Sequence, residues 1–115
     1  MKFLKILLLS LFLTCLLLAP VLAAGNAGKG KILFNDPTAF GGRIACSTCH
    51  PGGRGLEKAG SKSEWITPAG RTGTLEEAIN LCIVNANRGH AIDVRSEQMI
   101  DMVAYIKSIG KLTEK

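Results

Sequence analysis

Two cysteines and a histidine near the middle of the chain, Cys46, Cys49 and His50, stand in the spacing C-x-x-C-H. On a tight helical turn, two thiols three positions apart can each bond one vinyl group of the same porphyrin. The histidine that follows can then reach the iron as a neutral imidazole. This spacing is the attachment signature of c-type haem. We therefore predict one covalent haem c, with Cys46 and Cys49 as the thioether ligands and His50 as the proximal iron ligand.

Other uses of a C-x-x-C pair fit this chain less well. A zinc site needs a second Cys/His pair at similar spacing, and the sequence has none. A dithiol redox motif belongs to a strand–helix unit, for which the chain shows no pattern. A disulfide that closes so small a loop stabilises a fold very little. Haem attachment is therefore the interpretation that we adopt.

Residues 1–23 have the three parts of a secretory signal peptide: a short basic start, an apolar run over Ile6–Leu18 and a stretch of small residues that ends at Ala23. We predict cleavage after Ala23, with Ala24 and Ala27 as the alternatives. The apolar run is short for a bilayer span, so an uncleaved anchor is the weaker alternative. The predicted location is therefore periplasmic or otherwise exported, with no stable membrane span after cleavage.

The predicted mature domain, residues 24–115, is small and mildly basic. Loss of Lys2 and Lys5 with the leader lowers the formal net charge from +5 to +3. A chain of this size buries little apolar surface, so a covalent haem would complete its core. No basic run and no interleaved aromatic residues are present, and this pattern argues against a nucleic-acid partner.

The fold class predicted from the periodicity is all-α, with three to four short helices around one haem. Besides the haem turn, helices are expected over residues 27–35, from a capping box at Thr74 and Glu77 to about Asn87, and from a cap at Ser96 to Gly110. No stretch is predicted to be a strand.

A long glycine-rich segment, Pro51–Gly73, shows neither a helical nor a strand period. A loop of this length in a small domain usually has a function, and here we expect it to cover one face and edge of the haem. Trp65 is expected to pack there or to hydrogen-bond a haem propionate. Arg43, Arg54 and Arg71 are further candidates for that contact.

The sixth ligand of the iron stays open among several side chains. Cys82 lies on the apolar stripe of the second long helix and so faces the core, where the haem must be. Met99 lies in the first turn of the last helix, and His90 lies in the loop before it. Cys82 ranks first, followed by Met99 and His90, ahead of Met102 and an open or water-bound iron. Each side chain also has an ordinary alternative role. Cys82 can be a small buried hydrophobic residue, the methionines can pack in the core, and His90 can be an exposed loop histidine.

Residues at both ends of the predicted domain resemble a small class I cytochrome c. Gly30-Lys31-x-Leu33-Phe34 resembles the first helix of that family, and Met102–Ile109 resembles its last helix. In that family an aromatic side chain of the last helix packs across the first helix at small residues. Typical members place an axial methionine in the loop before the last helix, whereas Arg88–Val94 here contains none.

A narrower set of residues is similar to the haem domains of thiosulfate dehydrogenases and of the haem subunit of the Sox sulfur-oxidising system. The matching stretches are Ile79-Asn80-Leu81-Cys82, Asn87-Arg88-Gly89 and Ser96-x-x-Met99. In those domains a cysteine downstream of the haem motif binds the iron, and the resemblance implies this position for Cys82.

Two functions follow from these observations. The first is a periplasmic monohaem cytochrome that carries single electrons between redox proteins through transient contacts. Basic residues around the haem edge would steer an acidic partner. The alternative is a haem subunit or enzyme component in the oxidation of sulfur compounds such as thiosulfate, with Cys82 on the haem and a partner subunit. An electron carrier is preferred to an enzyme, because so short a domain leaves little room for a substrate pocket.

Overall fold

The computed structural model describes residues 1–4 and 24–113, so most of the predicted leader lies outside the described part of the chain. The described elements are helices α1 (Ala27–Asn35), α2 (Cys46–Cys49), α3 (Leu75–Asn85) and α4 (Glu97–Thr113), 3-10 turns at Pro51–Gly53 and Ala59–Ser61, and strands β1 (Trp65–Thr67) and β2 (Gly70–Thr72). Among them, no helix combines the length and the apolar character that a bilayer span needs.

Helix α1 begins and ends where the sequence predicts. The side chain of Asn26 accepts the backbone N–H of Lys29, which satisfies one of the free donors at the helix start. At the other end, the N–H of Asp36 bonds the carbonyl of Leu33, and Pro37 cannot continue the helix.

The crossing of α1 and α4 is the main contact between helices. It depends on Gly30, where a Cβ atom would collide with the backbone carbonyl of Asp101 and lie 2.8 Å from Cβ of Tyr105. Beside this point the rings of Phe34 and Tyr105 meet edge to face, with centroids 5.1 Å apart. The expected packing of an aromatic residue of the last helix across small residues of the first is confirmed.

Helix α3 begins at the predicted capping residue. Thr74 Oγ1 accepts the N–H of Glu77 at 3.2 Å. The helix buries one stripe of side chains, Leu75, Ala78, Ile79 and Ile83, and packs against the same core as α1 and α4. The least exposed side chains of this core are Phe34, Ile83, Met99 and Met102.

Helix α4 has the predicted start but a different end. Ser96 Oγ accepts the N–H of Met99 at 3.2 Å, as expected for a cap. The helix then continues past Gly110 to Thr113, so the predicted stop at Gly110 is wrong. This glycine serves close packing instead, since a Cβ there would lie 2.5 Å from the carbonyl oxygen of Glu57.

The glycine-rich segment contains a β-hairpin, so the all-α prediction requires a correction. Strands β1 and β2 pair antiparallel, with Trp65 opposite Thr72 and Thr67 opposite Gly70. Each strand has only three residues, which is too short to show the alternating pattern from which strands are predicted. The protein is therefore mostly helical with one small hairpin, which packs on α3.

Candidate haem site

The short helix α2 carries the two cysteines of the C-x-x-C-H motif on one turn. Ala45 precedes it in an extended conformation, and the N–H of His50 bonds the carbonyl of Cys46 to close the turn. Cys46 is half-buried and Cys49 is exposed, and both are free thiols, as is Cys82. One turn therefore presents both thiols and the adjacent histidine from a single short segment.

The imidazole of His50 is oriented by the loop that follows it. Its Nδ1 lies 3.0 Å from the carbonyl oxygen of Arg54. Because a carbonyl oxygen can only accept, Nδ1 is the donor in this contact, and in the neutral imidazole the lone pair then lies on Nε2. Nε2 of His50 is thus in the form that an iron ligand requires, with the ring orientation set by a backbone carbonyl.

Three glycines shape this proximal loop. Gly52, Gly53 and Gly55 have φ angles of 63°, 83° and 85°, a region that side-chain-bearing residues rarely adopt. Gly53 is also in close contact with α4, because a Cβ there would lie 2.5 Å from Cδ1 of Ile109. Part of the glycine-rich segment is therefore needed to bring the Arg54 carbonyl back to His50.

Two loops pair on the other side of α2. The N–H of Arg43 bonds the carbonyl of Asn87 at 3.0 Å, and the N–H of His90 bonds the carbonyl of Phe40 at 2.8 Å. Glycine makes this approach possible, since a Cβ at Gly89 would lie 2.6 Å from the carbonyl oxygen of Phe40. We call this pairing of residues 40–43 with residues 87–90 the loop pair.

Asn87 connects the loop pair to the first cysteine of the motif. Its side chain is 5% exposed, and its Nδ2 donates to Cys46 Sγ at 3.3 Å. Burial raises the pKa of the Cys46 thiol, and the hydrogen bond from Asn87 acts in the opposite direction. Sequence reasoning missed this contact, although Asn87 belongs to the Asn87-Arg88-Gly89 stretch on which the narrower resemblance rests.

We expect Asn87→Ala to destabilise the haem-loaded protein by roughly 1–2 kcal/mol, because it removes a buried hydrogen bond and leaves a small void. Denaturant unfolding followed by haem absorbance measures this change. Asn85→Ala is the matched control, since Asn85 is exposed and its amide bonds only Leu81 within α3. Equal losses in both variants would contradict the assigned role of Asn87.

Cys82 lies near the other two cysteines. It lines a cleft of about 250 Å³ between α3 and the hairpin turn, with Thr67, Pro68 and Ala69 on the opposite wall. Burial raises the pKa of the Cys82 thiol, and negative charge on Cys46 and Cys49 raises it further. The hairpin turn therefore lies over the side of α3 that carries Cys82.

The other candidates for the sixth ligand lie elsewhere. Met99 and Met102 are 0% and 1% exposed and belong to the helix core. His90 is exposed and lies beside Gly41, where a Cβ would be 3.6 Å from its Nδ1. Of the predicted ligands, Cys82 thus lines the cleft at the hairpin turn, whereas the methionines lie among packed apolar side chains, in a core that Cys46 also contacts.

Two predicted propionate contacts have other partners in the structure. Trp65 Nε1 donates to the carbonyl of Ala59 at 2.9 Å, which holds the base of the hairpin on the preceding 3-10 turn. Arg71 forms an ion pair with Glu64 at 3.0 Å. Arg43 and Arg54 are exposed.

The donor set of this site fits a covalent haem. Two free thiols share one turn with a histidine whose Nε2 is free to bind a metal. Thioether and imidazole ligation requires this combination of groups.

A mostly helical domain built around such a turn defines a c-type cytochrome. The family model described as "SoxA/TsdA, cytochrome c domain" matches residues 29–111, and the chain belongs to this family. No curated protein and no solved structure gave a match to the chain. The family indicates covalently bound haem c, one-electron transfer and redox partners, and confirms the resemblance inferred from the residues around Cys82.

Proposed function

We propose that the protein is an exported, periplasmic monohaem cytochrome c that carries single electrons between redox proteins. Cys46 and Cys49 hold the haem through thioether bonds, and His50 binds its iron through Nε2. The observation that carries this proposal is the hydrogen bond from His50 Nδ1 to the Arg54 carbonyl, which leaves Nε2 available beside the two thiols. The bound haem supplies a one-electron couple at its iron.

The residues of the chain hold and shield this group. The loop after His50 fixes the imidazole, and the core formed by α1, α3 and α4 excludes water from one side. Cys82 and the hairpin turn line one cleft beside α3. Low water access around the iron favours electron transfer over reaction with solvent.

Production with a c-type maturation system tests the proposal. We expect a red protein whose mass exceeds that of the polypeptide by one haem and whose voltammogram shows one reversible one-electron wave. A protein with no covalent haem, or one whose mass exceeds that of the polypeptide by two haems, would refute the monohaem assignment.

Export is the second part of the proposal, with residues 1–23 as the leader and 24–115 as the mature domain. In support, Gly25 packs against the Ile100 carbonyl, and the N–H of Asn26 donates to Asp101 at 2.6 Å. Cleavage after Ala27 would remove both contacts, so cleavage before Gly25 is favoured. N-terminal sequencing of periplasmic material tests this, and an N-terminus at Gly28 would contradict it.

A second function, in oxidation of sulfur compounds such as thiosulfate, is favoured by the family and by the position of Cys82. In this alternative Cys82 binds the iron or the sulfur substrate, and a partner subunit completes the substrate pocket. Thiosulfate oxidation by the purified protein with an artificial electron acceptor separates the two functions. Thiosulfate turnover that is lost in Cys82→Ala would support the enzyme function. Absence of turnover in the unmodified protein would leave the electron-carrier function.

We expect Cys82→Ala to change the iron coordination, because a thiolate stabilises the ferric state and lowers the reduction potential. The ferric protein should show a low-spin thiolate EPR signal that disappears in the variant, while the midpoint potential rises. Met99→Leu is the control and should keep the signal, since Met99 lies in the helix core. A methionine–iron charge-transfer band in the unmodified protein would exclude Cys82 as the ligand.

A further inference from the structure

The acidic residues of the chain are absent from two segments. All nine lie outside residues 37–56 and 78–92. The first segment contains the haem motif with Arg43 and Arg54, and the second contains Arg88. These two segments, which include Cys46, Cys49, His50 and Cys82, therefore carry three arginines and no acidic residue.

The loop pair brings these two segments together in space. Since the N–H of Arg43 bonds the carbonyl of Asn87, Arg43 and Arg88 lie on neighbouring backbones. Asn87, the residue before Arg88, donates its amide to Cys46 Sγ. The backbones of the two arginines are therefore connected, through Asn87, to the cysteine that we propose as the first attachment point of the haem.

Both arginines are exposed, and neither belongs to an ion pair within the described residues, where the pairs are Lys29–Glu97 and Arg71–Glu64. Arg54 differs, because its charge contributes to the lowered pKa of Glu57 and is thus partly compensated. Between the haem motif and Arg43 lies Ile44, an aliphatic side chain that is 38% exposed.

The backbone at Arg88 adds a further observation. Its φ angle is 61°, in the left-handed region where glycine or asparagine is usual and a long side chain is strained. The adjacent Asn87 and Gly89 are fixed by hydrogen bonds to the neighbouring loop and to α3. Strain of this kind persists where the surroundings hold it and is frequent at functional sites.

We infer that Arg43 and Arg88, on the two paired loops, form together with the exposed Ile44 next to Arg43 the docking surface for a redox protein with an acidic surface. The inference rests on the proposed electron-carrier function and identifies where the partner binds. Positive charge around a small apolar centre speeds encounter with an acidic partner and keeps the complex short-lived. Docking here would bring the partner close to Cys46, one of the two residues that would hold the haem.

The test uses the haem-loaded protein and reduced flavodoxin, an acidic redox protein, as the probe. Stopped-flow absorbance measures the second-order rate of haem reduction at low ionic strength. We expect Arg43→Glu/Arg88→Glu to lower this rate about tenfold and to flatten its dependence on salt. The neutral variant Arg43→Gln/Arg88→Gln should give an intermediate rate.

Lys31→Glu is the matched control, because Lys31 is exposed on α1 and outside both acid-free segments. It makes the same charge change per residue and should alter the rate less than twofold. The inference would be overturned if the rate fell by the same factor per substituted residue in Arg43→Glu/Arg88→Glu as in Lys31→Glu.

Three further results would separate the alternatives. A changed midpoint potential or visible spectrum in the isolated arginine variants would assign the side chains to the haem propionates and overturn the docking role. Loss of binding to anionic phospholipid vesicles, with an unchanged rate towards flavodoxin, would assign them to a membrane surface and also overturn it. A protein without haem, seen in the absorbance spectrum before any rate is measured, would refute the proposed function itself.

Discussion

The double variant Cys46→Ser/Cys49→Ser, produced with a c-type maturation system, is expected to be colourless and largely unfolded. It cannot form either thioether bond, and His50 alone would have to retain the haem. A domain of this size buries too little apolar surface to be very stable without an added core. The expected loss is comparable to the whole stability of an ordinary domain, roughly 5–15 kcal/mol.

Mass spectrometry, visible absorbance and far-ultraviolet circular dichroism together measure this effect. Cys82→Ser is the control, because Cys82 lies near the motif cysteines but is not expected to bond a vinyl group. It should keep the covalent haem in both mass and colour. A red double variant that retains haem after denaturation would contradict the assignment of Cys46 and Cys49.

The second large effect is expected at the crossing of α1 and α4. We expect Gly30→Ala to destabilise the haem-loaded protein by roughly 2–3 kcal/mol, because the added methyl group would collide with the Asp101 carbonyl and with Tyr105. The backbone of α4 cannot move away from the added methyl group as a flexible side chain could. The helices must therefore separate, although alanine itself favours the helix over glycine.

Gly28→Ala is the matched control on the same helix. A Cβ at Gly28 would meet only Oδ1 of Asn26, at 3.1 Å. The better helix propensity of alanine opposes the crowding of this oxygen, which caps α1 by accepting the Lys29 N–H, so the stability should change by less than about 1 kcal/mol. A clearly larger loss for Gly30→Ala than for Gly28→Ala in denaturant unfolding supports the crossing as described, and equal effects would contradict it.

Local signals in the sequence predicted the helix boundaries that depend on neighbouring residues. The Asn26 cap was not predicted, but the end of the first helix at residue 35 and the caps at Thr74 and Ser96 were, and the structure has them. Each cap involves a side chain and a backbone N–H three residues apart. Such contacts can be recognised in a short window of sequence.

The errors fell where distant residues decide the structure. Gly110 looks like a helix stop, but the close approach of Glu57 gives this glycine a packing role and α4 continues. The hairpin was missed because its strands are short, and its base is held by the Trp65 hydrogen bond to Ala59. The haem attachment residues and the leader remain predictions, which the family supports without testing each residue.

The chemistry of the domain was determined by sequence alone, because two thiols and a histidine on one turn need no distant residue to define a haem attachment motif. Tertiary structure decided what surrounds that turn. Asn87 contacts Cys46 across 41 positions of the chain, and the N–H of Arg43 bonds the carbonyl of the same Asn87. No local pattern specifies these contacts, since they exist only when the segments fold against one another.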